Sequence, residues 1–181
     1  RCPAPHAKDL LREGQDIGAR SSIGYQSNGN ELFTSGSIFG KSNKVDMLAN
    51  LVYRKIYDDL TDGSGSPIVD SRDEIVNGHS KLGFEPTEFQ RFEINADFFD
   101  SQGLNPTASD DVSSPTTVVD RDTSQYNIRG NYTYHDPDNN LIDLKTVIHY
   151  SNINISEDRL FDGRSDKSNF KSYGIDLHNT S

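Results

Sequence analysis

Apolar and polar residues alternate one for one through much of this chain. Between positions 92 and 98 every even residue is apolar (Phe92, Ile94, Ala96, Phe98) and every odd one is Glu93, Asn95 or Asp97. A strand sends successive side chains to opposite faces, so this run reads as a strand with one greasy face. A helix would scatter the same residues around its axis. Residues 125–135 repeat the pattern, with Tyr126, Ile128, Tyr132 and Tyr134 on one face and Asn127, Arg129, Asn131 and Thr133 on the other. Further runs at 17–27, 32–40, 45–57, 79–85, 142–151 and 173–179 bring the total to eight candidate strands.

The connections fall into two classes. Residues 41–44, 86–88 and 136–140 are rich in Pro, Asn, Asp and Ser and read as tight turns. Residues 58–78, 100–124 and 152–172 are long polar stretches, and 28–30 is a shorter member of that class. In a meander, all the tight turns then lie at one end of the strands and all the long loops at the other. This asymmetry is that of an outer-membrane barrel, with short periplasmic turns and longer extracellular loops. Any one of these strands would also fit a soluble β-sandwich. Such a fold gives no reason for every long connection to share one end.

Composition sharpens the choice. Only 32% of residues are hydrophobic and the mean hydropathy is −0.74, yet the apolar residues gather on single faces. A chain this polar is poorly equipped to fill a two-sided core, whereas a wide barrel needs only its outer face to be apolar. Tyr25, Tyr53, Tyr57, Phe98, Phe99, Tyr126, Tyr134, Tyr150 and Tyr173 sit towards strand ends, as interfacial girdles require. The expected lipid-facing set is Phe92, Ile94, Ala96, Phe98, Ile128, Tyr132, Ile148 and Tyr150. The faces that would turn inward carry Arg20, Asp46, Arg54, Glu93, Asp97, Arg129, Lys145 and Asp176. A closed barrel of eight strands fills its interior with side chains, so so many inward charges point to a wider, hydrated barrel. The last residues, His178-Asn179-Thr180-Ser181, lack the terminal aromatic common in bacterial barrels, and the chain reads as an N-terminal piece of a larger one.

The net charge of −10 comes largely from aspartates in the expected loops. Nucleic-acid binding would need a basic patch for phosphates and is not expected. No run is long enough for a transmembrane helix, and export would require a signal sequence upstream of Arg1. Cys2 is the only cysteine, which excludes an internal disulfide and a thiolate-rich metal site. Residues 1–6 look unlike the rest and read as junction or tag.

Candidate chemistry is sparse. Asp58-Asp59-Leu60-Thr61-Asp62-Gly63 imitates the start of a calcium loop, but Leu60 occupies the third ligand position and Val69 the place of the closing Glu. Asp136-Pro137-Asp138-Asn139-Asn140 lacks the central Gly, and both segments read as turns. His6, His79, His135, His149 and His178 include no pair at zinc spacing. His79, near the base of a long loop, is the one histidine retained as a candidate haem axial ligand. There is no Gly-x-Ser-x-Gly elbow. Glu93 and Asp97 share a face, but Trp is absent for stacking a sugar. Of the three sequons, at Asn131, Asn154 and Asn179, two fall inside expected strands, and all three read as chance. No catalytic or metal-binding residue is assigned, the residues that bind any cofactor are left unassigned, and the chain is expected not to be an enzyme.

The stretch Ala7-Lys8-Asp9-Leu10-Leu11-Arg12-Glu13-Gly14-Gln15-Asp16-Ile17-Gly18-Ala19-Arg20, followed by Gly24-Tyr25-Gln26-Ser27-Asn28, resembles the plug-to-barrel junction of TonB-dependent outer-membrane haem and haemoglobin receptors. The strand Asp46-Met47-Leu48-Ala49-Asn50-Leu51-Val52-Tyr53-Arg54 and the turn Gly83-Phe84-Glu85-Pro86-Thr87 also look like that family. The resemblance implies residues 1–16 as linker or junction and 17–181 as the N-terminal portion of a 22-stranded barrel, of which this chain supplies about the first eight antiparallel transmembrane strands. It implies an outer-membrane location. The implied partners are outer-membrane lipid, haem or a haem-carrier protein at the extracellular loops, and the TonB complex acting through a plug that this segment lacks. Haem is then the transported ligand rather than a cofactor held here. The family's haem-ligating histidines lie outside these residues, so none is carried over, and the fragment alone is expected neither to transport haem nor to bind it tightly. The alternatives left open are a soluble extracellular β-sandwich that binds glycan or protein, and a self-contained eight-stranded outer-membrane barrel.

Overall fold

A computed structural model of the chain describes residues 5–106, 118–138 and 141–180. A short helix α1 (Ala7–Leu10) precedes ten strands: β1 (Ile17–Gln26), β2 (Glu31–Lys41), β3 (Val45–Ile56), β4 (Leu60–Thr61), β5 (Pro67–Ile68), β6 (Asp73–Thr87), β7 (Gln90–Pro106), β8 (Val118–His135), β9 (Asp143–Arg159) and β10 (Ser165–Asn179). Eight of them form one antiparallel sheet in the order β1-β2-β3-β6-β7-β8-β9-β10, while β4 and β5 pair as a separate small hairpin. The expected meander is therefore present. Because β1 and β10 are not neighbours, the sheet is open, and the self-contained closed barrel of eight strands is not what this chain forms.

The strands are longer than their hydrophobic patterns. The segment 152–172, expected as a long loop, is strand as far as Arg159 and again from Ser165, joined by a short turn at 160–164. The expected loop at 100–124 is strand to Pro106 and from Val118, and its middle lies outside the described residues. The loop at 58–78 contains the β4–β5 hairpin and ends where β6 begins at Asp73. What continues the strands is the backbone ladder, which needs no apolar face, helped by cross-strand pairs. Ser101 Oγ donates to Asp73 Oδ1 at 2.9 Å, Arg121 Nε meets Glu157 Oε1 at 2.7 Å, and Arg159 meets Asp166 at 3.1 Å. At the opposite end the turn after β6 is tighter than expected. Pairing runs through an irregularity to Thr87 and Gln90, leaving only Glu88 and Phe89 at the tip.

Register assigns the faces. The pairs Leu48↔Lys81, Lys81↔Asn95, Asn95↔Arg129 and Arg129↔His149 run across one face. Leu82↔Ile94, Phe98↔Tyr126, Ile128↔Tyr150 and Tyr150↔Tyr173 lie on the other. All eight expected inward charges fall on the first face and all eight expected lipid-facing residues on the second. The first face encloses a cavity and is concave. The outer face exposes its large apolar residues, Ile94 at 56% and Ile128 at 52% among them.

This greasy belt has aromatic borders. Tyr25, Tyr53, Phe98, Tyr126, Tyr150 and Tyr173 stand at one margin, and Phe84, Phe92, Tyr132 and Tyr134 at the other, where the rings of Phe92 and Tyr132 are 4.7 Å apart. From Tyr126 to Tyr134 is about the nine-residue length with which a tilted strand crosses a bilayer. Phe99, counted among the girdle residues from its position, is paired with Gln125 and faces inward instead. Its neighbour Phe98 lies flat over Gly78, its cross-strand partner, where a Cβ would collide with the ring.

Beyond Tyr126 the sidedness reverses. Outward positions become Asp100 and Gln102 on β7, Asp122 and Ser124 on β8, Asn152 and Asn154 on β9, and Lys167, Asn169 and Lys171 on β10. Inward positions there include Phe99, Ile153, Ile155 and Phe170.

Candidate functional site

The concave face forms a trough of about 1100 Å³ bounded chiefly by β6, β7, β8 and β9. Alternation puts it together: residues two apart on each strand share the face, so His79 and Lys81, the odd positions from Arg91 to Asp97, from Gln125 to Thr133 and from Lys145 to Ser151 all line it, with Asp176 at the β10 margin.

Its β6–β7 side is a tight ionic network centred on Arg91. That guanidinium donates to Asp46 Oδ2 at 2.7 Å, Glu85 Oε1 at 2.7 Å and Glu93 Oε2 at 3.3 Å, and lies 3.1 Å from His6 Nδ1. Glu93 Oε1 also accepts from Asn95 at 2.9 Å and from Asn131 at 3.2 Å, and Lys81, only 5% exposed, lies 3.8 Å from its other oxygen. Carboxylates and cations this poorly hydrated persist because each is paired. One row higher, His79 Nδ1 and Asp97 Oδ1 are 2.6 Å apart, while His79 Nε2 is buried with no partner. The β8–β9 side has neutral hydrogen bonds, Ser151 Oγ to Asn127 Oδ1 at 2.6 Å and Gln125 to Asn127 at 3.2 Å. Ion pairs lie only at its two ends, His135 with Asp143 at 3.3 Å and Arg121 with Glu157 at 2.7 Å, and among the described residues Arg129, Lys145 and His149 between them are in none.

The N-terminal segment enters this trough. Ala7 is fully buried against Phe39 and Leu48, with Leu11 beside them. His6 N donates to Asp9 Oδ2 at 2.9 Å, and the His6 ring meets the Arg91–Glu93 pair. His6, read from sequence as tag or junction, is thus part of the inner network. Nothing in its local sequence announces this, since its partners are more than 80 residues away. Cys2 lies outside the described residues.

The remaining candidates resolve into turn chemistry. Asp62 sits at the tip between β4 and β5, where its Oδ1 accepts from Ser64 N and Oγ at 2.9 and 2.7 Å and from Ser66 N at 2.9 Å. The Ser64 hydroxyl and then the Ser66 and Ser64 amides hold this carboxyl below the ordinary aspartate value. Asp136 Oδ1 likewise accepts from Asp138 N at 3.0 Å, with residues 139 and 140 outside the described set. His79, His135 and His149 face inward on separate strands, and no group of three metal-ligating side chains comes together among the described residues. No described helix is long and apolar enough to cross a membrane, which says nothing of strands.

A meander that is apolar outside, aromatic at both margins and charged within has the architecture of a stretch of outer-membrane β-barrel wall. Comparison with solved structures agrees: the chain is similar to the FrpB iron transporter of Neisseria meningitidis (F5-1 variant) in its apoprotein form. The TM-score is 0.78 at 17% sequence identity, covering 96% of this chain and 28% of that one. The chain therefore spans little more than a quarter of that protein's length. No protein-family model matches the sequence, and no curated protein matches it.

Proposed function

We propose that this chain is the N-terminal part of the barrel of a TonB-dependent outer-membrane receptor for active uptake of haem or another iron source. In this reading residues 1–16 link a plug to the barrel, and residues 17–181 supply barrel wall. The mechanism is gated binding and passage, not catalysis. The single observation that carries the reading is the sheet's inverted polarity: exposed Ile, Phe and Tyr on the outer face, and paired charges on the inner. Lipid demands the first and a hydrated, plugged lumen accommodates the second.

Likeness to an iron transporter supports uptake as the activity, and the junction sequence from Ala7 to Arg20 favours haem within it. An unpaired strand edge is costly in lipid, so in the membrane the edges of β1 and β10 are closed by further strands of the same protein. The extracellular connections, those at the end where β7 to β10 rise above the aromatic row, would meet haem or its carrier. The segment holds no cofactor of its own.

Growth under iron limitation tests this. A strain carrying the gene that encodes this chain should grow on haem as sole iron source, and should lose that growth when either the gene or TonB is deleted. Growth on haem indifferent to both deletions would refute the haem assignment. The same outcome with every ferric source tried would refute uptake altogether.

A further inference from the structure

We propose that the β8–β9 wall of the trough is an anion site, in which Arg129, Lys145 and His149 receive a group bearing carboxylates or phosphates. The inference deepens the receptor reading above and rests on it.

The observation is an asymmetry of pairing. The chain has 28 acidic residues against 18 Lys and Arg, so acids are available almost everywhere. On the β6–β7 wall each inward cation has one: Arg91 has Asp46, Glu85 and Glu93, Lys81 has Glu93, and His79 has Asp97. Higher on the same face Arg121 pairs with Glu157 and Arg159 with Asp166. Arg129, Lys145 and His149 line the same trough, yet among the described residues their side chains make no ion pair and no hydrogen bond.

The three are also grouped. Arg129 is the cross-strand partner of His149, and Lys145 lies on the same face of β9 opposite Thr133. Between them the floor is Asn131 and its partner Val147, one amide and one small apolar contact. The long side chains of Arg129 and Lys145 therefore flank a shallow bed from its two ends, an arrangement suited to a group with more than one negative charge. Four acids lie near the bed: Asp143 is taken by His135 at 3.3 Å, Glu93 by Arg91 and Lys81, and Asp97 by His79, while Asp176, opposite Val147 on β10, borders the bed and pairs with none of the three. Arg129 and His149 adjoin Ile128 and Ile148 in sequence, so the bed lies at the depth of the apolar belt. Low-dielectric walls there focus the field into the trough.

Such an anion has two sources: a soluble polycarboxylate or phosphate in the lumen, or acidic side chains of the protein segment that fills it. The test uses the complete receptor in outer membranes, with Cys2→Ser as background and Val147→Cys as reporter. Reaction rates are measured with an anionic (sulfonatoethyl) and a cationic (trimethylammonioethyl) methanethiosulfonate. If the bed is open to solutes, the anionic reagent gains about tenfold over the ratio for a free thiol. That gain collapses when Arg129→Gln and Lys145→Gln are added, and citrate slows the reaction. If the protein's own acids occupy the bed, both reagents react slowly, and the same two substitutions speed both. Rates and ratio unchanged by Arg129→Gln with Lys145→Gln, whether fast or slow, would overturn the site. Ile128→Cys separates this from the reading beneath it. Protection of that outward position from both reagents keeps the barrel orientation intact, whereas full reactivity sinks the receptor reading and not merely the anion site.

Discussion

The same strands cross two environments, and β7 to β10 write the difference into their side chains. Between the aromatic margins the outer face is Ile94, Ile128 and Ile148, and the inner face holds Arg91, Glu93 and Asp97. A few residues further along, the outer face is Asp100, Asp122 and Asn154, and the inner face gains Phe99, Ile153 and Phe170. The backbone ladder runs through both parts without interruption. Side-chain polarity therefore does not make these strands. In the receptor reading it selects which medium each face meets, lipid outside the belt and water outside the extension.

The comparison breaks most visibly at its charge networks. Arg91 and its acids Asp46 and Glu93 are 18%, 13% and 12% exposed, so Arg91→Met leaves the poorly hydrated Asp46 carboxylate without its ion-pair partner and Glu93 with Lys81 alone. The expected loss is about 3–5 kcal/mol. In the extension, Arg121 and Glu157 are 30% and 23% exposed, and the equivalent Arg121→Met should cost about 1 kcal/mol or less. Denaturant unfolding in micelles measures both. Equal losses would mean that the two parts of the wall are hydrated alike and that the network around Arg91 has no special standing.

Next in size is the outer face itself. Ile128→Arg sets a cation in the middle of the belt, at about 2–4 kcal/mol, and should block assembly. Ser124→Arg, on the same strand and face but above Tyr126, should cost about 1 kcal/mol at most, since it meets water or headgroups. Assembly into outer membranes, followed by heat-modified mobility, reads both at once. Normal assembly of Ile128→Arg would contradict the assignment of the outer face to lipid.

This contrast also explains how much the chain revealed as a sequence. Within the belt, one face is apolar and the other lines the polar trough, so period-two alternation is strict and Phe92 to Phe98 and Tyr126 to Tyr134 identify strand, face and margin. Above the belt both faces are wet or weakly apolar, alternation fades, and Asn152 to Arg159 and Ser165 to Ser172 looked like loop although they pair residue for residue. The trough was legible as a set of inward charges but not as a network. Which acid meets Arg91 depends on register across β3, β6 and β7, and the partnership of His6 depends on a segment folding back over the wall. The unpaired state of Arg129 and Lys145 is likewise a fact of three-dimensional arrangement, invisible in a composition full of acids.

The smallest effect expected lies farthest from the belt, at the β4–β5 tip, where a hydrogen-bonded turn does what packing does elsewhere. The Asp62 carboxylate caps the amides of Ser64 and Ser66, and its affinity for a proton is lowered because those donors favour the charged form. A carboxyl with a depressed folded value stabilises the turn fully above its ordinary value of 3.8 and loses that contribution as pH falls below it. Hydrogen exchange at Ser64 and Ser66 should thus be protected at pH 5 and become faster, relative to the intrinsic rate, only below 3.8, while the amides of Ile128 and Ile148 keep their protection throughout. Asp62→Ala should remove the tip's protection at every pH, and Asp62→Asn, which keeps an acceptor oxygen but no charge, should retain part of it and erase the pH dependence. A midpoint above 3.8, or an unchanged profile in Asp62→Ala, would show that the tip is ordered by something other than its cap and that the hairpin draws its order from the wall beneath it.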